Sequence, residues 1–135
     1  MLLSDLLHKY CFHDSSIKSI SYEADHRELT ILVYLCNWIQ DGYTEDMTEI
    51  VLLELRFNNA SSVHNAGMFS EAAILSCEVV SESDHSTISI FAELWTDPQS
   101  RRDNLQYETL MVKADSVDVT LHPSMKEGSY GHSDL

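Results

Sequence analysis

The chain has 135 residues, 44% of them hydrophobic and 22% charged, which suits one globular domain built on one core. Four glycines and two prolines exclude collagen-like or low-complexity character. Asp and Glu outnumber Lys and Arg by 22 to 8, a formal charge of −14; this argues against a nucleic-acid binder, because phosphate contacts need a clustered basic surface.

The elements read as follows in chain order. Ser4 is placed to cap a short helix with Leu6, Leu7 and Tyr10 as its apolar stripe. From Ser15 the period changes to two: Ile20 and Tyr22 alternate with Ser19, Ser21 and Glu23, and Asp25, His26 and Arg27 make a turn. Glu28 to Asn37 sets Leu29, Ile31, Val33 and Leu35 on one face. Thr30, Leu32, Tyr34 and Cys36 lie on the other, which predicts a central strand covered on both sides. Trp38 to Thr48 is polar and acidic, a long loop or hairpin tip with Gly42 at its turn. Glu49 to Phe57 is the next strand, and Asn58 to Asn65 reads as a connection with at most one helical turn. Ile74 to Ser81 and Thr87 to Trp95 flank the polar turn Glu82-Ser83-Asp84-His85, and Asp97-Pro98 ends the second. Tyr107 to Ala114 and Val117 to Leu121 are short strands around Asp115.

The expectation is a mainly β fold with minor helix: an antiparallel sheet of six to seven strands, bent or sandwich-like, with a short N-terminal helix. Residues 1–125 form one domain, and 126–135, with Gly128, Ser129 and Gly131, form a flexible tail. No apolar run approaches the roughly 20 residues of a membrane span. The N-terminus meets Asp5 without a basic region, unlike a signal peptide. Cys11, Cys36 and Cys77 are widely spaced and odd in number, which predicts reduced thiols, at least two of them in the core, and a cytoplasmic location.

Seven histidines raise the question of a metal, but no pair has ligand spacing and there is no CxxC. No G-x-S-x-G and no Gly-rich phosphate loop occurs, so no catalytic residue, metal or cofactor is assigned. The alternative kept open is a metal-binding or hydrolytic enzyme using His13 and Asp14 with a distant His122. The acidic excess is the stronger clue. Asp41, Glu45, Asp46 and Glu49 surround Tyr43 and Met47, with Trp38 just before; Trp95 and Asp97 make a second aromatic–acidic pair. Aromatic anchors inside an acidic rim suit a surface that binds a basic protein. The candidate partner-binding residues are therefore Trp38, Asp41, Tyr43, Glu45, Asp46, Trp95 and Asp97. A solubilising surface on a structural protein is the plain alternative, and an exposed edge strand would also support a homodimer.

Phe12-His13-Asp14-Ser15-Ser16-Ile17 leads into a strand and turn, then Leu29-Thr30-Ile31-Leu32-Val33, and later Leu55-Arg56-Phe57-Asn58-Asn59-Ala60. Over about the first 60 residues this pattern resembles small bacterial β-rich domains that include immunity proteins of polymorphic toxin systems. The resemblance implies a mainly β fold and, for some members, cytoplasmic binding of a cognate toxin. A nuclease toxin tends to be basic, and an acidic inhibitor can copy the charge of its substrate. His13 and Asp14 are expected to cap the turn into the first strand rather than to touch a partner.

Overall fold

The computed structural model describes residues 1–64, 72–81, 84–94 and 106–122. The one α-helix among the described residues, α1 (Leu3–Lys9), buries Leu3 and Leu6 completely and packs against strands that come much later. The helix starts one residue before Ser4, with extended Leu2 as its N-cap and no side-chain cap bond, because Leu3 must also reach the core. Ser4 is thus a buried residue of the first turn and not the cap.

Among the described residues eight strands follow: β1 (Ser16–Glu23), β2 (Glu28–Cys36), β3 (Ile50–Asn58), β4 (Ser62–His64), β5 (Ala72–Ser81), β6 (Asp84–Leu94), β7 (Gln106–Lys113) and β8 (Ser116–His122). All pair antiparallel in one sheet of order β4-β7-β6-β5-β1-β2-β3-β8. The mainly β architecture with one short helix is the one expected. The strand beyond the expected count is β4, placed in the stretch read as a connection with a helical turn.

That short strand explains the bend. β3 and β4 are nearly continuous, as are β7 and β8, and the two composite strands pair along their lengths. Asn58 faces Ser116 and Ser62 faces Lys113, so residues 59–61 lie opposite residues 114 and 115. One extra residue on one side of a ladder makes a bulge and a sharp bend. Asn59 takes φ 53 there, and its Nδ2 donates to Asp115 Oδ2 at 2.7 Å. Asp115 N donates to the Asn58 carbonyl at 3.0 Å, and Ser61 N to the Lys113 carbonyl at 2.8 Å. The two ends of the sheet order are thereby joined through the chain itself. Pairings traced from β1 through β2, β3 and β8 return along β7, β6 and β5 to β1.

Both halves of this folded-back sheet feed one core. Leu29, Ile31, Val33 and Leu35 of β2, Leu53, Leu55 and Phe57 of β3 and Val117 of β8 meet Ile74, Ile88, Ile90, Ala92, Leu110 and Val112. The helix α1 packs against β5, β6 and β8. The second face of β2 is only half covered: Thr30, Leu32 and Tyr34 are partly exposed, and only Cys36 is buried. No second layer lies over that face among the described residues, because the sheet closes on itself instead. Among those residues, no helix is long and apolar enough to cross a membrane.

Candidate functional site

The rows of core side chains on β2, β3 and β8 run past the end of α1, and a loop folds over what is left uncovered. Leu35, Val51 and Leu53 make a nearly closed apolar floor. Tyr10, just after α1, and Leu121, near the end of β8, form walls. The β2–β3 loop supplies Asn37, Asp41, Gly42, Tyr43, Asp46, Met47 and Thr48. The result is an open groove of about 530 Å³, within the size range of ligand and peptide sites. Met47 and Leu121 leave 47% and 43% of their surface in water, a large fraction for apolar side chains at one cleft.

Backbone and amide bonds hold the loop in place. Asn37 N donates to the Glu49 carbonyl at 2.7 Å, and Asn37 Nδ2 to that of Thr48 at 2.8 Å, closing the base of the loop. Gln40 ties it to the N-terminal segment. Its Nε2 donates to the carbonyls of Cys11 at 2.6 Å and Cys36 at 2.9 Å, and its Oε1 accepts from Cys11 N at 2.8 Å. Gly42 turns the chain at φ 86, a region that a residue with a Cβ adopts only at a cost. The Thr44 hydroxyl donates to Asp46 Oδ1, which fixes that carboxylate at the groove.

The charge on the β2–β3 loop and its flanking strands is one-sided. No Lys or Arg occurs between Arg27 and Arg56, a stretch that carries Glu28, Asp41, Glu45, Asp46, Glu49 and Glu54. Lys9 caps the ring of Tyr10 with its ammonium 5.6 Å from the centroid.

Of the residues singled out in the sequence, Asp41, Tyr43 and Asp46 line the groove. Trp38 stands on a short 3₁₀ turn, Asn37–Ile39, and is 49% exposed, so it is not a core residue. Glu45 is exposed on the same loop, outside the groove lining. Trp95 and Asp97 lie outside the described residues, as do Asp97-Pro98 as a strand stop and the tail 126–135. Sequence reading missed Tyr10, Leu35, Val51, Leu53 and Leu121 as groove residues. Each belongs to a regular apolar pattern, and nothing local marks the place where its row loses its cover. It also missed an exposed stacked pair, Phe91 and Tyr107, with ring centroids 5.7 Å apart on β6 and β7.

The histidines are dispersed. His13 Nδ1 lies 3.2 Å from Asp14 Oδ2, His26 Nδ1 3.0 Å from Glu23 Oε1, and His122 Nε2 3.1 Å from Glu54 Oε1. His13 and Asp14 do not point in opposite directions, as they would on an extended segment. They sit in a turn closed by Ser15 N donating to the Phe12 carbonyl at 3.0 Å, with Asp14 at φ 68. The cap at this corner is Ser15, whose hydroxyl accepts from Cys36 N at 3.0 Å. Among the described residues no group of three or more His, Cys, Asp or Glu could hold a metal ion.

The thiols divide by environment. Burial, then the Asp14 charge, raises Cys36, and its Sγ donates to the Asp14 carbonyl at 2.9 Å. Burial pushes Cys77 up to about 12, helped by Glu78. Cys11 is exposed. Neither raised thiol has the character of a nucleophile, which requires a lowered value. Comparisons with protein-family models, with curated proteins and with solved structures give no match.

Proposed function

We propose that this chain is a non-catalytic protein-binding module that takes up a basic partner at the groove under the β2–β3 loop. In its specific form the partner is a toxin domain, and the chain is an immunity protein acting in the cytoplasm by steric and electrostatic occlusion. The supporting observation is the groove's composition: an apolar floor with exposed Leu121 and Met47, and Asp41 and Asp46 among its lining residues with no cation on the loop. A buried Leu-sized side chain contributes about 1.5–3 kcal/mol in such a site. Carboxylates at the rim act mainly on encounter rate and on the choice of partner. The lead-in Phe12–Ile17, which carries the resemblance to immunity proteins, does not line the groove.

The test starts by capturing binders from lysate of the native organism and identifying those released by salt. Purified partner is then measured against the chain and against the triple variant Asp41→Asn, Glu45→Gln, Asp46→Asn. The variant should associate about tenfold more slowly at low ionic strength, with a flatter salt dependence. Unchanged association rates would remove this loop from the interface.

A further inference from the structure

Strand β8 carries a second feature beside the groove. The Val117 N–H donates to the Met1 carbonyl at 2.9 Å, and the Met1 nitrogen donates to the Val117 carbonyl at 3.0 Å. Both peptide groups of Val117 therefore point away from β3, its ladder partner on the other side. Peptide groups alternate in direction along an antiparallel strand, and β8 pairs with β3 without a register shift. Val119 and Leu121 thus turn their N–H and C=O groups the same way as Val117. Among the described residues, no backbone group beyond Met1 pairs with that edge. Leu121 also lines the groove, so an open strand edge and an apolar cleft meet at one residue.

We infer, building on the protein-binding reading above, that the groove is a strand-addition site for an extended basic segment of the partner. The segment pairs with β8 at Val119 and Leu121, continuing the line that Met1 begins at Val117. It sets one apolar side chain into the groove among Leu53, Leu121 and Met47. Side chains two positions apart share a face of a strand, so a Lys or Arg two residues from the apolar one lies on the groove side, towards Asp41 and Asp46. Main-chain bonds would supply affinity and the groove would supply selectivity, the division of labour seen in other strand additions. Charge selects the occupant: a cleft with two carboxylates and no nearby loop cation favours a basic segment over an acidic one.

The probe is a capped peptide of about nine residues, with threonine at odd positions and lysine and leucine alternating at even ones. Two derivatives carry N-methyl groups, one on the odd residues and one on the even, so that each blocks a single edge of the extended peptide. Binding is followed by fluorescence anisotropy, and exchange of the Val119 and Leu121 amides by NMR, on the full chain. The unmodified peptide should bind in a salt-sensitive way and slow both amides about tenfold. One N-methyl set should weaken binding about tenfold or more, and the other should leave it nearly unchanged. Leu121→Pro, which removes an edge N–H that β3 does not use, should behave like the damaging set. Binding weakened by Asp41→Asn with Asp46→Asn, but equally insensitive to both N-methyl sets, overturns strand addition while keeping the acidic groove. Failure of every cationic peptide to bind overturns both.

Discussion

Cys77 illustrates how a single side chain reports on the core. It sits on β5 opposite Ile90 and faces Leu6, Phe12, Ile17 and Ile31, an environment in which a thiolate is strongly disfavoured. Its ionisation moves from an ordinary 9.0 up to about 12. Above about pH 9 the unfolded chain loses this proton while the folded chain keeps it, so the group's contribution to stability, intact below that point, declines as pH rises towards 12. The decline approaches about 1.4 kcal/mol per pH unit. Urea denaturation at pH 8 and pH 10 should show a smaller loss in Cys77→Ala than in the parent; equal losses would place the thiol in contact with water. The raised Cys36 adds a slope of the same sign, which the single variant leaves in place. Of the cysteines expected in the core, Cys77 is partly buried against the core cluster, and Cys36 is buried on the otherwise half-covered face of β2. For Asp14 the expected capping role falls to Ser15 instead, because a turn at φ 68 swings the Asp14 carboxylate to His13.

At the scale of elements, the β2–β3 loop is the part whose shape depends on distant chain. Gln40 reaches back to Cys11 with both ends of its amide, so the loop and the segment after α1 form one support for the groove. Gln40→Ala should cost about 1–2 kcal/mol, since several partly exposed hydrogen bonds are lost together. It should also speed amide exchange at Tyr43 and Met47, whose N–H groups bond to Gln40 and Thr44. Protection unchanged at those two positions would mean that the loop stands without the tie. Most strands were legible because apolar residues recur at every second position, as in Leu29 to Leu35 and Val51 to Phe57. β4 was not, because three residues between polar turns carry too little pattern to separate strand from connection. The loop itself was legible as acidic and aromatic. Its use as the roof of a groove was not, since the floor comes from β2 and β3 and the walls from Tyr10 and Leu121.

For the molecule as a whole, the sequence pattern pointed to a bent or sandwich-like sheet without showing what bends it. That information lies in the pairing of Asn58 with Ser116, positions 58 residues apart, and in the bulge beside them. The same closure has a kinetic consequence. The β1–β2–β3 and β5–β6–β7 runs pair neighbours in the chain, whereas the β3–β8 ladder must await an encounter across about half of the sequence. Non-local pairing pays its loop entropy before it gains contacts, which places it late on the route to the native state. In stopped-flow refolding, Val117→Ala should mainly accelerate unfolding, whereas Ile31→Val or Ile90→Val should slow folding. A chain synthesised from its N-terminus would hold the groove's floor ready on β2 and β3 well before β8 arrives. The partner's seat would be complete only once that last strand has locked the ring.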